Sequence, residues 1–330
     1  MEACMKKLVC VMMFFLIVIT LPLFSAGTSE TVFPDPEKTI TIVVPHAAGG
    51  GTDLIFRALV EEMKRISGQN FIVTNITGAG SATGTNEVVN GSADGYTMLG
   101  AGTHTTAATM QGLTEGYKAL DYIVALNWDP FIIAVRNDKP WRTLKELETA
   151  AKANPGKLSF GNAGMGGATG VACVGMNLAF DKVFNVTPFN GGADLIASVL
   201  GGHCDVGIFS QSEVKANMDS LRPLAILGGA HSTIPELSSV PTLAEAGYPS
   251  LNIPSGSFRS LMVKNGTSEE AKKWLADIAE KAFNSDGFQK FMSSNGLIPA
   301  FHKLDDFAAY DATIIADYEP ILKEAGLYKL

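Results

Sequence analysis

Four short runs of small residues in this chain could hold a negative charge without a lysine. They read HAAGGGTD at 46–53, GAGSATG at 78–84, NAGMGG at 162–167 and NGGA at 190–193. Each stands between a short apolar run and a helical pattern. A turn of that kind presents backbone N–H groups with no bulky side chain in the way, at the positive end of a helix dipole. Anion binding is the chemistry such turns offer.

Other chemistries lack their residues. A phosphate-cradling loop needs a lysine after its glycines, and the run at 49–53 continues to Thr52 and Asp53 instead. Gly78 and Gly80 are followed by Gly84, and Gly164 and Gly166 by Gly170, each one place too late for a dinucleotide fingerprint. No G-x-S-x-G nucleophile elbow occurs. The five histidines, at 46, 104, 203, 231 and 302, form no HExxH and no i, i+4 pair. Scattered carboxylates on an acidic chain read as solvated surface. The reading is a binding protein without catalytic residues, cofactor or metal; an enzyme would have to assemble its groups in space.

The elements that must position these runs alternate from residue 39 onward. Residues 39–45 are a short β-branched run, and Ile55, Leu59, Met63 and Ile66 share one face of the helix that follows. Strand patterns recur at 69–76, 96–100, 158–162, 186–190, 205–210 and 224–227. Thr143 with Glu146, and Thr267 with Glu270, read as capping boxes opening helices. Residues 306–327 close the chain as a helix that Pro320 should kink. Alternation of this kind predicts an α/β chain of parallel sheets covered on both faces. Ligands of such sheets bind beyond the carboxyl ends of the strands, where the glycine runs stand.

Composition narrows the class. The chain has 330 residues, 18% charged and 46% hydrophobic, enough for two globular domains. Lys6 and Lys7 precede an uncharged stretch at 8–21, and Ser25, Ala26 and Gly27 follow it. This is the pattern of a secretory signal, 1–27, cleaved near 26–27. Pro22 interrupts the stretch, which is short for a membrane anchor. Loss of Glu2, Lys6 and Lys7 takes the net charge from −8 to −9, which disfavours nucleic acid. Cys173 and Cys204 remain, with no metal-binding spacing, and read as two buried thiols rather than a pair.

Five longer segments carry a family likeness: PHAAGGGTD (45–53), TGAGSATGTNEV (77–88), ADGYTMLG (93–100), PFNGGADLIASVLGGHCDV (188–206) and ELSSVPTLAEAGYP (236–249). In this order they resemble the extracytoplasmic solute receptors of tripartite tricarboxylate transporters, the Bug or TctC family, over residues 38–330. The resemblance implies a two-lobed periplasmic-binding-protein fold of type II. Each lobe would be a mostly parallel sheet flanked by helices, with the ligand clamped in a cleft between lobes. Lobe 1 would comprise 38–131 and 256–330, and lobe 2 would comprise 132–255. A monomeric periplasmic receptor is implied. It would take a small carboxylate and hand it to the large and small membrane subunits of a secondary transporter.

Carried onto this chain, the family's backbone-driven carboxylate site falls on Ala47, Ala48, Gly49, Gly50, Thr52 and Asp53. It faces Asn162, Gly164, Gly166, Gly167 and Ala168 on the other lobe. Three positions depart from the family pattern: His46 in place of an aromatic residue, Gly170 in place of a histidine, and Asn190 in place of a basic residue. His46, Asn190 and Gly191 then line the cleft, and Thr103, His104 and Ser210 reach it from the ends of two strands. Thr52 could contact ligand, cap a helix from Asp53, or do both; Asp53 reads as structural or water-orienting. Arg259 would hold a distal carboxylate, assisted by a protonated His46 or His104, or would pair with an acidic residue across the hinge. Hinges are expected at 129–134 and 255–260. A ligand sensor with the same fold, or a carboxylate-processing enzyme, would share these features.

Overall fold

The computed structural model describes residues 33–303 and 307–330. The expected leader, 1–27, lies outside the described residues. The β-branched run forms β1 (Ile40–Val44), paired in parallel with β2 (Phe71–Asn75) and β3 (Thr97–Gly102). Helix α1 (Gly51–Ser67) connects β1 to β2, burying Ile55, Phe56, Leu59, Val60 and Met63. It stops at Gly68, whose φ of 73° gives the left-handed cap that glycine adopts without steric penalty. Helix α2 (Ala82–Val89) leads into β3, and α3 (Thr103–Met110) with α4 (Gly116–Ala119) lead out of it.

The 17-residue strand β4 (Leu120–Arg136) organises the molecule. From Leu120 to Pro130 it pairs antiparallel with β9 (Gly256–Lys264), which lies between it and β3. From Phe131 onward it pairs instead with β7 (Val206–Ser210) and β8 (Leu221–Ile226). Beyond β7 lie β5 (Ser159–Asn162) and β6 (Asn185–Pro188), both parallel to it or to one another. The strand path is β2-β1-β3-β9-β4-β7-β5-β6, with β8 and β10 (Ile298–Lys303) on β4. The expected parallel sheets are therefore mixed: the β1–β3 and β5–β7 sets are parallel, while the strands bridging them run antiparallel.

Strand direction places the site. β1, β3 and β4 run the same way, toward the second set, and β7, antiparallel to β4, runs back with β5 and β6. The carboxyl ends of the two parallel sets thus face one another. Helices α6 (Ala168–Ala179) and α7 (Gly192–Leu200) start at the facing ends of β5 and β6, opposite the start of α1.

Helix ends follow their local chemistry with one shift. Thr143 caps α5 (Leu144–Ala153) by accepting the Glu146 N–H, as its spacing predicts. At α9 (Glu269–Phe283) the cap is Ser268, which accepts the Ala271 N–H, one place after the expected Thr267. The Thr267 hydroxyl instead donates to the Lys264 carbonyl at 2.7 Å. Ser285 caps α10 (Asp286–Ser294), and α11 (Phe307–Glu324) closes the chain with Pro320 inside it. Cys173 and Cys204 are free and buried, and burial pushes both thiols up.

Candidate functional site

Helices α1, α6 and α7 begin at the junction of the two strand sets without a side-chain cap, as does α3 after Gly102. The residue before each first turn is glycine, Gly50 for α1, Gly167 for α6 and Gly191 for α7, and none makes a side-chain capping hydrogen bond. Helices α5, α9 and α10, away from the junction, all have hydroxyl caps. A glycine cap offers no acceptor, so the first-turn N–H groups stay available to an outside anion. Gly51, Thr52, Ala168, Thr169 and Gly192, from these first turns, line a cavity of about 50 Å³.

Arg259 forms the floor. Its side chain is 5% exposed, and Nη1 donates to Asp129 Oδ2 at 2.8 Å. Asp129 is fully buried and also accepts the Ser212 hydroxyl at 2.6 Å and the Ser212 N–H at 3.2 Å. Nε of Arg259 is buried without a partner, and Nη2 lies 2.9 Å from where a Cβ on Gly51 would be. A glycine at 51 therefore lets the guanidinium sit directly against the start of α1.

Two histidines form one wall. The rings of His46 and His104 meet edge to face with centroids 4.3 Å apart. Nδ1 of His46 and Nε2 of His104 are buried without partners. Burial first, then the charge of Arg259, lowers His46 to about 4. Burial, His46 and Arg259 hold His104 well below the usual imidazole value. Both rings are neutral at neutral pH, so the expected protonated-histidine partner is corrected: Arg259 is the cation in the lining.

Eight of the residues anticipated from sequence line this cavity: His46, Gly50, Thr52, His104, Gly167, Ala168, Ser210 and Arg259. Thr52 is the second residue of α1, not its cap. Ser210 caps α8 (Gln211–Ala216) through a reciprocal box with Glu213. The others stand around it. Asp53 accepts from the Gly49 N–H, Arg57 Nε and Asn75 Nδ2; burial pushes its carboxyl up, but these donors outweigh it and hold it low. Ala47 donates its N–H to the Asn190 carbonyl at 3.2 Å, while Ala48, Gly49 and the Asn190 side chain are exposed. Thr103 does not reach the cleft as expected: its hydroxyl accepts the Phe258 N–H, and it lines a separate cavity on the other face of β9. Asn162 accepts the Gly164 N–H, stiffening its own turn. Gly164 and Gly166 pack on Gly80, and Gly191 packs on Ala47.

Seven lining residues were not singled out from sequence: Gly51, Phe131, Ala163, Thr169, Gly192, Glu213 and Ser257. Four of them sit in or beside the same glycine runs, and reading each run through the first helical turn would have found them. Glu213 was legible as the third residue after Ser210 in S-x-x-E. Its Oε1 fills the space of a side chain on Gly192, at 1.7 Å from an added Cβ. Phe131 and Ser257 lie on strands β4 and β9, where nothing local marks them.

Opposed strand ends, uncapped helix starts and a buried arginine define a two-lobed binding protein with its cleft between lobes. The chain belongs to the tripartite tricarboxylate transporter family receptors, whose family model matches residues 55–327. It is 28% identical to protein BugT of Bordetella pertussis over 320 residues, covering 94% of this chain and 97% of that one. The fold is similar to the periplasmic binding protein BugD, with a TM-score of 0.82 at 24% identity over 90% of this chain and all of that one. It is also similar to MatC from Rhodopseudomonas palustris with bound malate, with a TM-score of 0.79 at 22% identity over 87% of this chain and 100% of that one. The chain is a solute-binding receptor of the Bug/TctC type.

Proposed function

We propose that this receptor captures a small dicarboxylate in the periplasm and delivers it to the large and small membrane subunits of a tripartite transporter. The uncapped starts of α1, α6 and α7, converging on a cavity that Arg259 lines with Nη2 beside Gly51, carry this reading. One carboxylate would take first-turn N–H groups of α1 and α6, and the other would take Arg259 Nη2. Charge-assisted hydrogen bonds contribute about 1.5–3 kcal/mol each, so a few reach micromolar affinity, about −8 kcal/mol. The lobes are 38–131 with 256–330, and 132–255. They would close about the residues where β4 changes partners and where the chain re-enters β9. Malate bound to a protein of similar fold supports the ligand class.

The cavity of about 50 Å³ holds only a few water-sized groups, since one water needs roughly 10–15 Å³. Four-carbon dicarboxylates are therefore expected to bind more tightly than tricarboxylates or aromatic acids. At a hundredfold excess over Kd, malate or succinate should stabilise the protein by about 2.7 kcal/mol in thermal unfolding. Calorimetry should return the ligand chemically unchanged. A neutral sugar or amide that stabilises while no carboxylate does would overturn the reading.

His46 adds a pH signature. Its value is about 4 in the fold and ordinary when unfolded, so the unfolded chain takes up the proton first. That contribution to stability is complete above about pH 6.5 and is lost as pH falls toward 4, on the order of 3 kcal/mol in full. A bound anion favours the charged ring, so carboxylate binding below pH 6.5 should be accompanied by proton uptake. Calorimetry in two buffers of different ionisation enthalpy measures this uptake, and His46→Gln should reduce it. Uptake unchanged in that variant would remove His46 from the cleft chemistry.

A further inference from the structure

A second cavity, of about 320 Å³, lies on the opposite face of β9 from the cleft. Side chains alternate along a strand, and here Ser257 and Arg259 line the cleft while Gly256 and Phe258 line this cavity. The two cavities share no lining residue. Trp128 of β4 and Ile314, Asp317 and Tyr318 of α11 complete its wall. Gly256 is needed there, because a Cβ would meet the Trp128 ring at 2.8 Å.

The chemistry of this wall is the reverse of the cleft. Three aromatic side chains, Trp128, Phe258 and Tyr318, stand around the space, and no Lys, Arg or His is among the lining residues. Asp317 is the charged group in that lining. Tyr318 is 2% exposed, and its hydroxyl is buried without a hydrogen-bond partner. Aromatic faces attract a cation electrostatically, and a carboxylate beside them adds to the attraction. An anion would meet Asp317 with nothing to offset it.

We propose that this cavity binds a small organic ammonium ion, separately from the carboxylate cleft. The ammonium N–H groups donate to Asp317, and the organic body packs on Trp128, Phe258 and Tyr318. The volume admits a molecule of aryl-ethylamine size.

The test uses the full chain and three size-matched probes: phenethylammonium, phenylethanol and 3-phenylpropionate. Titration calorimetry is expected to show phenethylammonium binding at least about tenfold more tightly than either of the others. Asp317→Asn should weaken it by about tenfold, with malate-induced stabilisation unchanged. The unfolding midpoint of the unliganded variant separates a lost contact from a lost fold. If the variant fails to fold, chemical-shift changes at the Trp128 and Phe258 ring protons of the natural protein on adding the probe report the same site. Equal binding of the carboxylate or the alcohol, no binding of the ammonium, or indifference to the Asp317 substitution would overturn the proposal.

Discussion

Arg259→Ala is expected to destabilise the protein by about 3–5 kcal/mol before any ligand is added. Asp129 is fully buried, and Arg259 is the cation that offsets it. The two Ser212 hydrogen bonds would remain after the substitution, but they do not neutralise a carboxylate. A stranded buried charge is far less favourable than a missing pair, because desolvation is no longer offset. Arg259→Ala combined with Asp129→Asn should therefore recover most of the stability, read from chemical unfolding. The ligand question is then asked of the double variant. If Nη2 holds a distal carboxylate, dicarboxylate affinity falls by about 2–5 kcal/mol while a monocarboxylate analogue falls much less. Equal weakening of both ligands, or none, would show that the arginine serves Asp129 alone.

That pair also marks the limit of what the chain discloses. The sequence pattern left Arg259 between a ligand and an acidic neighbour across the hinge, and the structure supplies the neighbour, 130 positions away. Local signals carried much of the rest. Glycine before a helical pattern marked the starts of α6 and α7, because the absence of a capping side chain is written in the residue type itself, while α1 begins after Gly50 and not at the Asp53 that Thr52 would have capped. Asp53 was read as structural or water-orienting, and its three donors come from within its own turn, its own helix and β2. Histidine was misread for a physical reason. Charge state depends on desolvation and on Arg259, neither of which spacing reveals. Strand direction escaped for a similar reason. Alternating strands and helices predict parallel pairing, but a chain that crosses between lobes lays its bridging strands antiparallel. The cavity behind β9 has no motif at all, since its wall joins residues near 103, 128, 256 and 317.

Gly166→Ala should weaken binding by roughly 5- to 150-fold while leaving the unliganded protein folded. A Cβ at this position would stand 2.7 Å from the Gly80 carbonyl oxygen and 2.8 Å from a Leu113 methyl group. Both neighbours belong to the proposed first lobe, and no closer clash arises within the second. Gly166 does not have the positive φ that would strain an alanine by itself, unlike Gly80 at 63° or Gly164 at 133°. The added methyl group is thus a wedge between two backbones, and backbone cannot move aside as a side-chain tip can. Overpacking of this kind disfavours the affected state by about 1–3 kcal/mol, roughly 5- to 150-fold in Kd. Gly50→Ala is the matched control. Its Cβ would find ordinary contacts at 3.4–3.8 Å to Ala47, Ala193 and Gly192, and its φ of −77° suits any residue. Gly50→Ala should therefore bind nearly as the natural chain does. Calorimetry on the pair, with unfolding midpoints alongside, distinguishes a cleft that closes turn against turn from a rigid one. Normal affinity in Gly166→Ala would mean that ligand is held with the turns at 80 and 166 apart. The helix starts alone, without lobe closure, would then have to account for binding.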